Sequence, residues 1–523
     1  MTDVVLDGES LTPESLEAIA REGAPVTVPE SARENVRASR ERIKEILDTG
    51  EPVYGVNTGF GELVQERIPA DDIEAIQRNL VRSHAAGAGD PLRESVVRAM
   101  MATRLNTLVK GFSGVRECVI DQFVGMLNEG VHPVVRSKGS LGASGDLAPL
   151  AHLSLVLIGE GEATVDGDRV DGSVALDRAG LDPLELRAKE GLALINGTQL
   201  TVALGALLVL DAERACRAAD IAGAMTIEAT MSTTASAHSR INDVRPHSGH
   251  GAVAENVRAL TADSEIVQSH ANCDRVQDAY SIRCLPQVHG AVRDAVAHLR
   301  EAVTVELNSV TDNPIVFDAA HVDSRASGTE HAAVLSGGNF HGEPLALPLD
   351  YVTSAVSELA SVSERRIDRL LNPNVQEDHL PPFLATDAGI QSGYMIAQYV
   401  AADLVSTNRS EGRPSTDNVP VSGNQEDHVS MSAQSALRAD DAVDRTRRVV
   451  ASELVCATQA LDFVDSAHAP GVGTKAAHDC VRDRVPALDE DRPVHADVDA
   501  AEELIASDRL LERVENAVGD PLE

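Results

Sequence analysis

The sequence predicts a mainly α-helical protein, on three observations. Apolar residues recur at i, i+3 and i+4 in one segment after another, the period of a helix with a buried face. These segments start near Ser, Thr or Pro and stop at Gly, as helices do. The apolar 43% of the 523 residues is mostly aliphatic, with 7 Phe, 5 Tyr and no Trp, which favours close helix packing over a sheet sandwich.

Taken in order, Thr12-Pro13-Glu14 opens a short helix that stops at Gly23. Ser31 and Glu34 have capping-box spacing, with Val36, Ile43, Ile46 and Leu47 following at helical intervals up to Gly50. Residues 91–110 and 115–129 each carry apolar residues on one face, the second through Val119, Phe123, Met126 and Leu127. Residues 162–172 predict a hairpin around Asp166-Gly167. The longest helices are expected near 198–232, 286–309, 344–371, 388–409 and 428–465. Leu504, Ile505, Leu510, Leu511 and Val514 predict a docked C-terminal helix in place of a loose acidic tail.

Charge and cysteine usage narrow the function. The net charge is -37, and only five bases are Lys (Lys44, Lys110, Lys138, Lys189, Lys475). No cluster of Lys and Arg offers a surface for nucleic acid, and an anionic membrane is disfavoured for the same reason. So acidic a surface, with so little Lys, suits a halophilic protein in a salty cytoplasm, where screening weakens self-repulsion. Six Cys with no Cys-x-x-Cys pair fit a reduced, cytoplasmic chain. The acidic start MTDVVLDGES is no signal peptide, and the longest apolar run, Leu200 to Leu210, is too short to span a bilayer.

The chemistry is expected in the polar, Gly-rich interruptions at 51–61, 139–150, 196–199, 277–287, 336–344 and 413–431. In GSLGASGDLAPL (139–150), Ala143-Ser144-Gly145 could cyclise unaided. The Gly145 nitrogen attacks the Ala143 carbonyl carbon and water leaves; Ser144 then loses its hydroxyl as a second water. The product is a methylidene-imidazolone, an electrophile no ordinary side chain supplies. Gly145 lacks a Cβ and allows the compressed turn, Ser144 carries the leaving group, and Ala143 is small. The tripeptide alone is a weak signal, since Ala326-Ser327-Gly328 repeats it; the second copy is expected to be coincidence. The first is flanked by Gly139, Gly142, Asp146 and Pro149 and followed by an apolar helix, whose positive N-terminal end would sharpen an electrophile.

GSLGASGDLAPL resembles the signature of the aromatic amino-acid ammonia-lyases. The resemblance runs from about Tyr54 to Met431 through YGVNTGFG, RSHAAG, LINGTQ, RVQDAYSIRCLPQVHG, NSVTDNPIVF, SGGNFHGEP and NQEDHVSM. It implies a helical fold with the electrophile loop in an N-terminal domain (1–200) and a long antiparallel helix bundle (201–523). It also implies a homotetramer whose active sites draw on more than one subunit, with no external cofactor and no metal.

By this resemblance Tyr54, in a Gly-rich segment suited to a lid, is a general acid or base. Asn196 bonds the ring or the substrate amine, although Asn often simply caps a helix. Gln277 and Arg283 bind substrate, Arg283 as a bidentate carboxylate clamp, where a surface salt bridge is the plainer reading. Tyr280 stands beside the ring, and Phe340 packs against it or merely fills the core. Ser83-His84 and Glu426 match the histidine-cleaving branch, so L-histidine is the expected substrate, giving trans-urocanate and ammonia. Glu426 could bind the imidazole or, like Tyr54, take the β-proton. The amine or the imidazole could be what adds to the electrophile.

A zinc hydrolase is the first rival, given 17 His, but His247, His250 and His428 form no His-Glu-x-x-His pattern. A purely structural helical protein leaves the polar interruptions unexplained. A phenylalanine or tyrosine lyase or aminomutase of the same family is the closest rival, and Ser83, His84 and Glu426 argue against it.

Overall fold

The computed structural model describes residues 2–49, 53, 55–56, 72–271, 276–318, 320, 326–329 and 332–523. Helices dominate it, as the hydrophobic period predicts. Thr12 accepts a hydrogen bond from the Ser15 amide, Pro13 opens the first helix, and Gly23 at φ 73° ends its continuation Ala18–Glu22. The next helix, Glu30–Thr49, starts two residues earlier than a Ser31 cap requires. Ser31 therefore lies inside the first turn, and the Pro29 carbonyl accepts from Ala32 and Arg33 in place of a capping box. Gly50 lies outside the described residues.

Glu94–Val109 departs from its expected single apolar face, because every residue from Val96 to Val109 is buried. Its polar groups bond inward: Arg98 donates to the carbonyls of Ile19 and Leu127, and Asn106 to that of Leu307. Glu117–Asn128 follows the prediction. The hairpin forms as Glu162–Val165 against Asp168–Asp171, with Asp166 and Gly167 at φ 54° and 82°, the twist a two-residue turn requires. His132–Pro133 adds a third strand to it that the sequence did not signal. Ala326-Ser327-Gly328 is no compressed turn: Ser327–Gly328 is a strand paired with Ala332–Leu335.

The long helices are Gln199–Ala229, Leu285–Leu307, Glu343–Leu371, Met395–Ser410 and Ser432–Leu461. Only the fourth starts well after its expected position. Gly393, at φ 56°, sits where a Cβ would lie 2.4 Å from the Phe383 carbonyl oxygen, so the chain turns tightly there before the helix can begin. Helices Ile73–His84 and Val472–Arg482 escaped the sequence reading. At the C-terminus, Leu510 and Val514 are buried where Arg509–Val518 packs on Val472–Arg482.

The chain forms two compact units. The first comprises Met1–Leu207, Leu299–Asp350 and Arg413–Leu437; the second comprises Leu208–His298, Tyr351–Gly412 and Arg438–Glu523. Part of the first unit's core is Ile43, Ile46, Val316 and Val334, and part of the second's is Ile227, Val253, Val257 and Leu285. The second unit also buries a charged network. Glu453 receives both ends of the Arg366 fork, while Asp220 accepts from His289 and Arg293. Arg366 also donates to Nε2 of His289, so that nitrogen is a bare acceptor. Burial, aided by Arg366, holds the His289 ring below its ordinary pKa despite Asp220.

Among the described residues, no helix is long and apolar enough to cross a membrane.

Candidate active site

The loop 139–146 belongs to the first unit and is stapled on several sides. Met431 N–H donates to the Leu141 carbonyl, Ser430 Oγ and Gly342 N–H both donate to that of Gly142, and Gln434 Nε2 donates to that of Ser140. A Cβ on Gly142 (φ 71°) would lie 2.1 Å from Ser430 Oγ, and one on Gly145 (φ 71°) would lie 2.2 Å from the Gly197 carbonyl oxygen. Glycine is needed at both for conformation and for space.

Asp146 is fully buried and ties the loop down. Its amide donates to the Gly197 carbonyl at 2.7 Å. Its carboxylate accepts from Ser140 Oγ at 2.7 Å and from the Thr201 amide at 2.9 Å. Burial pushes this carboxyl's pKa up against those hydrogen bonds. The Thr201 contact satisfies one of the free N–H groups at the start of Gln199–Ala229. Leu147–Leu157, Glu343–Leu371 and Ser432–Leu461 also begin at this loop. Four positive helix ends thus converge where the sequence analysis expects an electrophile.

Ala143 and Ser144 form one wall of a cleft of about 1020 Å³, whose other lining residues include Leu80, His84, Asn196, Phe340, His341, Glu426 and His428. Ser144 Oγ donates to Glu426 Oε1 at 3.3 Å. His84 closes the helix Ile73–His84, with Nδ1 2.8 Å from the Leu80 carbonyl. A carbonyl only accepts, so Nδ1 carries a proton, and Nε2 is the ring nitrogen left to meet a ligand. Phe340 is half-buried and lines the same cleft.

Asn196 follows the short helix Glu190–Ile195 and is 3% exposed. Its Nδ2 donates to the Asn313 carbonyl at 3.0 Å and lies 3.4 Å from Asp312 Oδ1. Behind it lies an ion pair that the sequence reading missed: Lys189 Nζ to Asp312 Oδ2 at 2.8 Å, both side chains fully buried. Burial favours a neutral Asp312, but Lys189 and Arg104 outweigh it and hold its pKa below the ordinary value. Arg104 is itself buried and pushed down to about 10.

His341 and His428 were not assigned to the site from sequence, yet both line the cleft, stacked with ring centroids 5.8 Å apart. They sit in SGGNFHGEP and NQEDHVSM, but no spacing rule links segments so far apart in the chain.

Four of the described assigned residues do not line the cleft: Gly145, which packs against Gly197, and three others. Gln277, Tyr280 and Arg283 belong to the second unit. Gln277 and Tyr280 are exposed, and the Arg283 guanidinium lies over the Tyr280 ring, 4.9 Å from its centroid. Tyr54 lies outside the described residues.

Residues 11–483 match the aromatic amino acid lyase family. The chain is 59% identical to a probable histidine ammonia-lyase of Halobacterium salinarum, over 99% of each chain. Among solved structures, a tyrosine aminomutase from Streptomyces globisporus superimposes with a TM-score of 0.93 at 37% identity, covering all of both chains. Histidine ammonia-lyase from Trypanosoma cruzi superimposes with a TM-score of 0.90 at 39% identity, over 99% of this chain and 96% of that one.

Proposed function

This chain belongs to the aromatic amino acid lyase family, and from that premise we propose that it removes ammonia from L-histidine to give trans-urocanate, the first step of histidine breakdown. The observation that carries this reading is the placement of Ser144, Glu426 and His84 on one cleft, with Ser144 and Glu426 3.3 Å apart. A carboxylate and an imidazole acceptor suit a substrate with a polar ring; a phenyl ring would leave both unpaired, which discriminates strongly.

The residues present fit a methylidene-imidazolone built from Ala143-Ser144-Gly145. The turn is tight, space for a Cβ at Gly145 is missing, and Ser144 faces the cleft. Once formed, the group supplies an electron sink that assists departure of ammonia from a carbon that would otherwise hold it.

The chain's own side chains do the rest. His84 Nε2 accepts the substrate imidazole N–H and sets the ring's position. Glu426 or Tyr54 takes the β-proton, each within the chemistry of a general base. Phe340 packs against the reacting region. Asn196 holds the substrate amine.

Gln277, Tyr280 and Arg283 enter from a neighbouring copy in a homotetramer, where Arg283 clamps the substrate carboxylate. The exposure of Gln277 and Tyr280 on the second unit supports this, since both are open to another surface. The -37 charge supports a salty cytoplasm as the working environment.

Intact mass and substrate turnover test the proposal together. The expected result is a chain lighter than its sequence by two waters, full mass in Ser144→Ala, and urocanate absorbance rising with L-histidine. Turnover of tyrosine or phenylalanine but not histidine would overturn the substrate assignment. An unmodified mass in active enzyme would overturn the electrophile.

A further inference from the structure

Resting on the proposed function, we infer that the buried Lys189–Asp312 pair is a positioning device for Asn196. It turns the Asn196 amide so that its nitrogen faces the protein and its oxygen serves the cleft.

The chain has five Lys, and this one is completely buried, in a left-handed conformation (φ 72°) at the start of Glu190–Ile195. Burying an ion pair gains little stability over apolar residues of the same size, so its presence calls for another reason. The geometry supplies one. Asp312 divides its carboxylate: Oδ2 takes the Lys189 ammonium, and Oδ1 takes the Asn313 amide at 2.7 Å and faces Asn196 Nδ2 at 3.4 Å. The Asn313 carbonyl takes the same Nδ2. Both partners can only accept, so the orientation of the Asn196 amide follows from the network. Its Oδ1 is left as an acceptor for the cleft that Asn196 lines, which suits an ammonium or amine of the substrate.

The same carboxylate anchors a second part of the wall. Asn313 Oδ1 accepts from the Gly337 amide at 2.7 Å, and Asn313 Nδ2 donates to Ser336 Oγ at 3.1 Å. Lys189 and Asp312 are absent from the lining and act through Asn196 and Asn313.

Two variants test the inference. In Asp312→Asn the new amide offers its oxygen to Lys189 and its NH₂ to Asn196, donor against donor, which drives the Asn196 amide to flip. The double variant Lys189→Met/Asp312→Leu removes both charges at similar volume and guards against a fold lost to an unpaired buried charge. Each is made with Asn196 intact and with Asn196→Ala. Turnover of L-histidine is measured, and so is its binding to the same variants carrying Ser144→Ala, which cannot turn it over.

With Asn196 intact, kcat/KM and affinity are expected to fall by ~10-fold or more, and by at least ~3-fold less in the Asn196→Ala background, where only the Asn313 contacts remain to be lost. The two-water mass deficit is expected to persist. Equal losses in both backgrounds, or no loss with Asn196 intact, would overturn the positioning role. A wild type that binds L-histidine but releases no urocanate sinks the proposed function instead, and the binding cycle still decides this inference.

Discussion

The Asp146 amide donates to the Gly197 carbonyl at 2.7 Å, and that same carbonyl oxygen occupies the place a Cβ on Gly145 would take. The chain at Gly145 is thus held against Gly197 by a backbone contact that leaves no space for a side chain. Gly197 is equally confined, since its own Cβ would lie 2.4 Å from Gln199 Oε1. Gly145→Ala and Gly197→Ala are each expected to cost ~1–3 kcal/mol of stability from strain at positive φ. They should also leave the chain at its full sequence mass. A two-water deficit in either variant would show that the turn tolerates a side chain.

Removing the Glu426 charge separates its two possible duties. As the proton acceptor, Glu426→Gln is expected to lower kcat by ~10²–10⁴ with little change in KM. As a binder of the imidazole, it would raise KM instead. Steady-state urocanate formation decides between them, and unchanged kinetics would remove Glu426 from the site altogether.

His84→Leu replaces an imidazole with an apolar group, which suits a phenyl ring better than a polar imidazole ring. The expected outcome is a loss of ~10² or more in kcat/KM for histidine, with a smaller loss or a gain for phenylalanine. Equal losses for both substrates would assign His84 to structure.

Subunit sharing is open to a mixing experiment. Ser144→Ala and Arg283→Ala are each expected to be inactive. Refolded together, they should regain activity, because some sites then combine an intact loop from one copy with an intact Arg283 from another. Recovery no greater than either parent would confine each site to a single chain.

His289 makes the second unit acid-sensitive. Below about pH 6.5, its ordinary value, the unfolded chain binds a proton that the buried ring refuses. The unfolded state then holds more protons, and stability falls as pH drops. Asp220 acts in the same direction further down: although buried, it is held below its ordinary 3.8 by Arg293 and His289. Its contribution is present above that value and is lost as pH falls through its folded pKa. Thermal unfolding at about pH 8 and about pH 5.5 should show a larger drop in Tm for wild type than for His289→Gln. Parallel drops would locate the acid sensitivity elsewhere.

Much of the site was legible from the chain alone. Ala143-Ser144-Gly145 stands out because few residue types permit that condensation. Asn196, Phe340 and Glu426 fall within polar interruptions and His84 within the RSHAAG match, and the structure brings all four to the same cleft. The Lys189–Asp312 pairing was invisible, because it spans 123 positions: Asp312 lies in NSVTDNPIVF, but nothing there points to Lys189. His341 and His428 were missed for the same reason. Ser31 misled because a capping box is a local preference, and here Pro29 set the helix start first.

The order of residues by itself determined the helical class, the hairpin at Asp166-Gly167 and which Ala-Ser-Gly stands in a glycine-flanked loop before an apolar helix. All of these depend on neighbours a few positions apart. Only the tertiary structure decided that 299–350 and 413–437 join the first 207 residues, which is what puts Glu426 against Ser144 and Asp312 behind Asn196. Those contacts depend on which buried faces fit together and which buried polar groups find partners, and a linear pattern does not encode either.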